Sequence, residues 1–221
     1  MTLQAVLFDL DGTLADTAPD LCNAANHLRQ QDGLPPLPYA TLRPHASRGA
    51  RGMLEAAYGL LPDDNAYPQQ LDRFVTHYAQ HLCIHSRLFA DIDTMLTALA
   101  TRSQAWAIVT NRKEALARPL VAALGLTATR DCLIGGDTAG LLKPAPEPLL
   151  AACAQLEVAP ADCLYVGDDI RDVQAAHAAG MPAIAAAWGY LGPDADLASW
   201  GANAIAEHPL ALLPLFGLTR C

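Results

Sequence analysis

The segment Ala5-Val6-Leu7-Phe8-Asp9-Leu10-Asp11-Gly12-Thr13-Leu14 decides the fold of this chain. Four apolar residues run directly into two carboxylates that are separated by one residue. A short apolar run that ends at a turn signal is typical of a buried parallel strand, and Gly12-Thr13 allows the backbone to turn sharply. Asp9 and Asp11 are therefore predicted to lie at the carboxyl end of a strand, where open α/β sheets bind their ligands.

The spacing of these two carboxylates indicates a reactive site. Alternation along a strand directs side chains at positions i and i+2 to the same side, and two anions held close together repel unless a cation or a proton intervenes. The pair predicts a divalent metal and one carboxyl group able to carry a proton. The alternative is a helix N-cap, where Asp is common, but a cap needs only one Asp and this pattern is more specific.

The composition is that of a globular protein and argues against several function classes. Of the 221 residues 52% are apolar and 17% are charged, which suits one large domain, or a core with a small second unit, and disfavours wholesale disorder. The net charge of −9 disfavours a nonspecific nucleic-acid binder, yet a bound metal would still allow an anionic substrate.

The lack of a recognisable targeting signal and the cysteine spacing predict a cytoplasmic protein that is not bound to a membrane. The chain shows no signal peptide and no apolar run long enough to span a bilayer. The six cysteines include no CxxC pair and no metal-type spacing, so reduced thiols are expected.

The pattern of apolar residues changes along the chain. From Asp16 to about His85 it is helical, with Thr17 a candidate N-cap of the first helix. From Phe89 onwards, helices alternate with strands predicted at 106–109, 132–134, 163–166, 183–187 and 202–206. Such alternation indicates βαβ units and a parallel sheet. The sequence thus predicts an α/β core of residues 1–15 and 86–221, interrupted by an all-helical insert of residues 16–85.

Three further segments place polar residues after predicted strands. Thr110-Asn111 offers a hydroxyl and backbone N–H groups to phosphate oxygens, with an ordinary helix cap as an equal alternative. A lone Lys is usually solvated, but Pro144 restrains the backbone at Lys143, and a fixed ammonium would neutralise a phosphoryl group. The segment Gly167-Asp168-Asp169-Ile170-Arg171-Asp172 gathers three carboxylates, which are hard oxygen ligands suited to Mg²⁺.

These four segments resemble, in order, the four motifs of the haloacid dehalogenase (HAD) superfamily, whose nucleophile motif is Asp-x-Asp-Gly-Thr. The resemblance implies an α/β fold with a HAD-like Rossmannoid parallel sheet, helices on both faces, and a small inserted all-helical (C1-type) cap. It also implies a Mg²⁺-dependent phosphomonoester hydrolase that acts through an aspartyl-phosphate. Its expected partner is a small phosphomonoester rather than nucleic acid or membrane, and its expected state is a monomer or homodimer.

The same resemblance assigns roles to individual residues. Asp9 is the expected nucleophile, and Asp11 the expected general acid and base. The expected phosphate-binding residues are Gly12, Thr110, Asn111 and Lys143. The expected metal ligands are Asp9, Asp168 and the backbone carbonyl of Asp11, with Asp172 behind them and Asp169 left open as a possible helix cap.

The acid at position 11 also bears on the alternatives within the superfamily. A halide leaving group needs no proton, so Asp11 favours phosphoester chemistry over dehalogenation. A β-phosphoglucomutase-like phosphotransferase would have to protect its phosphoryl group from water. A non-catalytic binding module would be expected to have lost one motif, and all four are present.

Segments outside the motifs resemble the phosphoglycolate phosphatase group and, within it, the N-acetylmuramic acid 6-phosphate phosphatases. The segments that carry this similarity are 16–20, 33–36, 86–88, 189–190, 200–202 and 207–210. The expected substrate is N-acetylmuramic acid 6-phosphate, with phosphoglycolate as the alternative. Two residues depart from these groups: Arg48 stands where a smaller residue is usual, and Arg112 follows Thr110-Asn111 where Lys is usual.

The insert contains one unusual segment, Ser47-Arg48-Gly49-Ala50-Arg51-Gly52. Glycines permit close backbone approach, and arginines offer planar forks to a carboxylate or phosphate. We expect Ser47, Arg48 and Arg51 to set specificity, with one of the two arginines reading the substrate carboxylate. The alternative is a solvated loop between helices.

Overall fold

The strands form one parallel sheet and one short ribbon in the computed structural model, which describes residues 3–192 and 195–217. The strands are β1 (Ala5–Phe8), β2 (Ala15–Asp16), β3 (Arg87–Leu88), β4 (Ala105–Val109), β5 (Leu133–Ile134), β6 (Cys163–Gly167), β7 (Ala183–Ala186) and β8 (Ala204–Ala206). The parallel sheet has the order β5-β4-β1-β6-β7-β8. The segment that decided the fold is therefore a central strand with a parallel neighbour on each side.

The helices are α1 (Ala18–Gln31), α2 (Tyr39–Leu42), α3 (Gly49–Tyr58), α4 (Tyr67–Gln80), α5 (Ile92–Thr101), α6 (Glu114–Ala123), α7 (Glu147–Leu156), α8 (Ile170–Ala178) and α9 (Leu212–Leu215). Helices α5 to α9 cover the two faces of the parallel sheet. Alternation along β1 sends Val6 and Phe8 into an apolar cluster with α5, α6 and α9. It sends Ala5 and Leu7 into a second cluster with α7 and α8. The predicted α/β class, with a parallel sheet between two helical layers, is confirmed.

Helices α1 to α4 pack around a third apolar cluster of their own. Leu28 of α1, Met53 of α3 and Phe74 of α4 are among its buried members. Tyr190, which follows β7, is also part of this cluster. The helical insert therefore buries its own apolar faces and also rests on the core, while the division at residues 15 and 86 stays a prediction.

Local structure in the insert differs from the sequence interpretation at two places. A 3-10 helix covers Arg43–Arg48 and α3 begins at Gly49, where the sequence suggested a connecting segment up to Gly52. Two glycines weaken any helical pattern, and only the packing of the buried residues after them reveals the helix. Strands β2 and β3 pair antiparallel over two residues each, too short a length for alternation to be read.

No disulfide and no membrane span is present in residues 3–192 and 195–217. The cysteines described there are all free, and the expectation of a reduced Cys221 lies outside the described residues. No helix in those ranges is both long and apolar enough to cross a bilayer.

The two ends of the helical insert are joined by one buried carboxylate. Asp20, in the first turn of α1, accepts the backbone N–H groups of His85 and Ser86 and the Ser86 hydroxyl at 2.7–3.0 Å. Asp20 is 4% exposed and Ser86 is fully buried. Without this carboxylate, two backbone donors would be left in a water-poor environment, which is unfavourable.

We therefore expect Asp20→Ala to lower the free energy of unfolding by about 2–4 kcal/mol. Urea titration followed by circular dichroism measures this change. Asp72→Ala removes an exposed carboxylate from α4 and serves as the control, with an expected change within about 0.5 kcal/mol. Equal stabilities for the two variants would contradict the role of Asp20.

Candidate active site

The parallel sheet brings three of the predicted segments to one edge. Phe8 of β1 pairs with Ile108 of β4 and with Val166 of β6. The residues that leave these strands, Asp9, Thr110 and Asp168, therefore emerge side by side. The Asp9 N–H still donates to the Val166 carbonyl at 2.9 Å, so its backbone is fixed by the ladder.

The ammonium of Lys143 lies at the centre of this edge. Its Nζ is 2.9 Å from Asp9 Oδ1 and 2.8 Å from Asp172 Oδ1. It also lies 2.7 Å from the hydroxyl of Tyr165 and 2.9 Å from the carbonyl of Val109. Burial would lower the pKa of Lys143, but Asp172 and Asp9 outweigh it and raise that pKa, so the group stays charged.

Asn111 holds the backbone of the loop that carries Lys143. Its side chain donates to the Lys143 carbonyl and accepts the Lys143 N–H, each at 2.9 Å. The predicted phosphate-binding residues Thr110, Asn111 and Lys143 are thus together, and the Asn111 side chain contacts the lysine backbone. Thr110 is buried, and its hydroxyl accepts the N–H of Arg112 at 3.1 Å.

Three carboxylates lie close together beside this ammonium, and two of them contact it. Asp9, Asp168 and Asp172 each offer an oxygen within 4.8 Å of the others. Burial, together with Asp172 and Asp11 and against the opposing effect of Lys143, raises the pKa of Asp9 to about 7. Burial beside Asp9 and Asp172 raises the pKa of Asp168 well above its ordinary value. Ionisation of all three carboxylates would therefore place more negative charge here than Lys143 neutralises.

Asp168 is held from several sides. The Thr13 hydroxyl donates to its Oδ1 at 3.1 Å, and the Tyr190 N–H donates to its Oδ2 at 2.8 Å. The backbone of Gly12 and Gly189 approaches so closely that a Cβ would lie 2.1 Å from Oδ2 at Gly12 and 2.2 Å from the Asp168 Cβ at Gly189. Gly12 also has a φ of +83°, a conformation that suits glycine.

Asp169 and Asp172 together cap helix α8. Asp169 accepts the Arg171 N–H at 2.9 Å, and Asp172 accepts the Asp169 N–H at 3.1 Å. This reciprocal arrangement is a capping box, and it answers the question that the sequence left open for Asp169. Asp172 thus connects the cap of α8 to Lys143.

Asp11 lies apart from the carboxylate cluster. Arg112 donates to it from Nε at 3.0 Å and from Nη2 at 2.5 Å, and the Thr17 hydroxyl also donates to it. Burial would raise the pKa of Asp11, but Arg112 and Thr17 outweigh it and lower that pKa. Strand alternation does not place Asp11 because β1 ends at Phe8. Thr17 is the N-cap residue of α1, as predicted, but its hydroxyl binds this carboxylate rather than the backbone of the helix.

A pocket of about 480 Å³ lies between the insert and the core beside Asp168. The residues that line it include Ser47, Arg48, Arg51, Asp168, Arg171 and Tyr190. Arg48 pairs with Glu55 at 2.6 Å and contacts His45 at 2.8 Å. Arg171 pairs with Asp169 at 2.8 Å and donates to the Ser47 carbonyl at 3.0 Å. Arg51 makes no ion pair with any residue in the described ranges, and its side chain is exposed.

Sequence reasoning missed four residues of this site. Tyr165 contacts Lys143 from a buried strand. A tyrosine within an otherwise apolar strand indicates a buried polar partner, and the sequence interpretation did not use this indication. Arg112 was noted only as an unusual residue, without a role, and Arg171 only as part of its motif. Tyr190 fixes Asp168 through its backbone N–H. Nearly every residue type has such a donor, so the sequence does not show which one is used.

Comparison with known proteins identifies the family of this chain. The family model described as haloacid dehalogenase-like hydrolase matches residues 6–186. A phosphoglycolate phosphatase of Xanthomonas campestris pv. campestris is 44% identical over 206 residues, which cover 93% of each chain. An N-acetylmuramic acid 6-phosphate phosphatase of Pseudomonas aeruginosa is 38% identical over 221 residues, covering 100% of this chain and 98% of the relative.

A solved structure extends the likeness to three dimensions. The crystal structure of a predicted phosphoglycolate phosphatase from Haemophilus somnus superposes with a TM-score of 0.83 at 25% identity, covering 97% of this chain and 98% of that one. The family match spans all four motifs, and both relatives named above are phosphatases. The chain therefore belongs to the haloacid dehalogenase-like hydrolases, and within that family it is a phosphomonoester hydrolase.

Proposed function

We propose that the protein hydrolyses a carboxylate-bearing sugar phosphate, with N-acetylmuramic acid 6-phosphate as the first candidate substrate. One observation carries this proposal: Asp168, which belongs to the carboxylate cluster beside Lys143, lines a pocket of about 480 Å³ together with three arginines. Pockets of ~300–1,000 Å³ typically bind molecules larger than a two-carbon acid. The relative that carries this substrate in its name also matches the chain over its full length.

The donor set fits a divalent metal ion. Asp9 and Asp168 would supply carboxylate oxygens that lie close together, and the Asp11 carbonyl is the third oxygen that the family resemblance implies, a hard set that suits Mg²⁺. Three neighbouring carboxylates have one ammonium beside them, which pairs with Asp9 and Asp172, so a divalent cation would offset the charge of the ionised group. When bound, Mg²⁺ supplies electrostatic stabilisation of the charge on the phosphoryl oxygens. Asp172 is already engaged with Lys143 and the cap of α8, which supports a position behind the ligands.

The reaction proceeds in two steps on the chain's own residues. Asp9 attacks phosphorus, and the bond from phosphorus to the ester oxygen breaks as the new bond to Asp9 forms. Asp11 delivers a proton to the departing oxygen. Water then gives a proton to Asp11 and attacks the phosphorus of the aspartyl-phosphate, which releases phosphate and restores Asp9. Lys143, the Thr110 hydroxyl and the N–H groups after Asp11 bind the phosphoryl oxygens.

A second candidate, phosphoglycolate, is favoured by a different observation. The phosphoglycolate phosphatase of Xanthomonas campestris has the higher identity, 44% against 38%. Both candidates carry a carboxylate and a phosphoryl group, so the residues around Lys143 serve either one. The two candidate substrates differ in the size of the group that is attached to the phosphate, and therefore in the pocket volume that each one needs.

A phosphate-release assay with Mg²⁺ tests the proposal directly. We expect turnover of N-acetylmuramic acid 6-phosphate, about tenfold or more slower hydrolysis of N-acetylglucosamine 6-phosphate, which lacks the carboxylate, and no activity in EDTA. Asp9→Asn should abolish turnover, and Asp11→Asn should lower it about 10²–10⁴-fold. Near-normal turnover by Asp9→Asn would refute the nucleophile.

The same assay separates the alternatives. Faster hydrolysis of phosphoglycolate than of either amino-sugar phosphate would select the second candidate. Dependence on a sugar bisphosphate activator would indicate a mutase, and silence with every ester would indicate a binding module.

The packing of Gly12 against Asp168 gives a prediction for the metal site. The Cβ of Gly12→Ala would lie 2.1 Å from Asp168 Oδ2, so the carboxylate must move. We expect this variant to bind Mg²⁺ at least about tenfold more weakly in calorimetric titration and to lose activity in parallel. Gly125→Ala is the control, because Gly125 shares the positive φ, at +70°, and has open space around it. Equal Mg²⁺ affinities in the two variants would contradict the proposed ligand.

The pocket arginines give a prediction for specificity. Arg51 is the pocket arginine with no ion pair in the described ranges, so we propose that it reads the substrate carboxylate. We expect Arg51→Met to raise KM for the carboxylate substrate about tenfold or more, with a much smaller effect on p-nitrophenyl phosphate. Arg48→Met, whose arginine already pairs with Glu55, is the matched comparison. A larger effect from Arg48→Met would reverse the assignment.

A further inference from the structure

Tyr165 is a tyrosine in the middle of strand β6, and the motifs give it no role. It is fully buried, and its hydroxyl accepts an N–H of Lys143 at 2.7 Å. The same hydroxyl lies 2.9 Å from the Val109 carbonyl and 3.3 Å from Asp172 Oδ1. A phenolic hydroxyl accepts and donates at the same time. Tyr165 is therefore both a partner of the ammonium and a donor to acceptors that the ammonium also contacts.

Lys143 has one acceptor more than it has N–H groups. An ammonium carries three N–H groups, and four acceptors lie 2.7–2.9 Å from this one: Asp9, Asp172, the Tyr165 hydroxyl and the Val109 carbonyl. All four are satisfied when Lys143 donates to the two carboxylates and to Tyr165, while the Tyr165 O–H donates to Val109. Without the tyrosine hydroxyl, the third N–H would bind the Val109 carbonyl directly, and every group would again be paired.

A bound phosphoryl group changes this balance. One phosphoryl oxygen joins the two carboxylates and the Val109 carbonyl as a fourth acceptor that needs a donor. The three N–H groups of Lys143 and the O–H of Tyr165 together provide four donors, so every group stays paired. Without the Tyr165 hydroxyl only three donors remain, and one buried acceptor is left unpaired, which is unfavourable.

The Val109 carbonyl is the acceptor that depends on Tyr165. Val109 is the last residue of β4 and is fully buried. Leu10, which follows the end of β1 by one residue, donates its N–H to Asp9 Oδ1 at 2.8 Å and not to this carbonyl. The side chains of Lys143 and Tyr165 therefore supply the donors at this end of the strand.

The Tyr165 hydroxyl is also the partner that Lys143 loses at the smallest cost. Asp172 is 1% exposed, and removal of the ammonium would leave its charge in a buried place without that partner. The Tyr165 hydroxyl is neutral, and its own bond to Val109 remains when the ammonium N–H turns away.

We propose that Tyr165 is a positioning residue whose hydroxyl, by binding the Val109 carbonyl, frees one N–H of Lys143 for the phosphoryl group. The inference rests on the proposed function, in which Lys143 binds the phosphoryl oxygens. Rotation about the Cε–Nζ bond redistributes the N–H groups of the ammonium among their acceptors. Tyr165 thus acts on the substrate only through Lys143.

Binding of inorganic phosphate tests this role, because the product carries the phosphoryl oxygens without a leaving group. Calorimetric titration of phosphate onto the protein at saturating Mg²⁺ measures the affinity without turnover. Competitive inhibition by phosphate measures the same affinity during turnover.

We expect Tyr165→Phe to bind inorganic phosphate about tenfold or more weakly than the unmodified protein. The value of kcat/KM should fall by a similar factor for the preferred alkyl ester and for p-nitrophenyl phosphate, because both esters present the same phosphoryl group. The midpoint of thermal unfolding should stay within about 3 °C, since the free variant keeps every group paired. Tyr58→Phe, which removes a hydroxyl that donates to Asp32 in the insert, is the control and should change none of these values.

The other outcomes overturn definite statements. A lower unfolding midpoint for Tyr165→Phe, with or without weaker phosphate binding, would assign the hydroxyl a structural role. A loss confined to one of the two esters would place its effect at the leaving group and contradict an action through Lys143. If the unmodified protein binds phosphate and hydrolyses esters while Tyr165→Phe binds phosphate equally well, only the role of Tyr165 fails. If the unmodified protein does neither, the proposed function fails first.

Discussion

The buried ammonium of Lys143 is the interaction on which the rest of the site depends. It lies between Asp9 and Asp172, at 2.9 and 2.8 Å, in a place where its side chain is only 2% exposed. A charge removed from water is tolerated only when partners surround it, and loss of one partner leaves the others uncompensated. This group therefore fixes the relative positions of four elements: the ends of β1 and β4, the cap of α8, and the loop held by Asn111.

The parallel sheet by itself places most of these residues close together. Parallel strands end at the same edge, so Asp9, Thr110 and Asp168 become neighbours without any long connection between them. The loop after β5 needs only to return Lys143 over that edge, and two hydrogen bonds from Asn111 fix where it lies. The strands fix the positions of the site residues, whereas the insert forms the wall of the pocket that faces them.

The same contrast explains how much the sequence could predict. Strand β1 and the parallel sheet follow from apolar runs that end in polar residues. The same pattern predicts that positions 9, 11, 110, 143 and 168 converge; the structure brings positions 9, 110, 143 and 168 together, whereas the side chain of Asp11 turns to Arg112. Contacts that depend on where an insert rests could not be predicted in this way. Three features depend on tertiary placement, which no local pattern encodes. They are the pairing of Asp11 with Arg112, the hydrogen bonds of Asp20 to residues 85 and 86, and the lack of an ion pair at Arg51 among the described residues.

Arginines connect the insert to the core at three separate places. Arg43 donates to the Gly189 carbonyl at 3.1 Å, Arg171 donates to the Ser47 carbonyl at 3.0 Å, and Arg112 meets Tyr78 at 2.8 Å. The first two end on backbone carbonyls close to Asp168 and the pocket, so they hold the two units together without altering an acid. Only the third continues to a candidate catalytic group. Asp11 is therefore connected to the insert through Arg112 and Tyr78, whereas the contacts of Lys143 lie within the core.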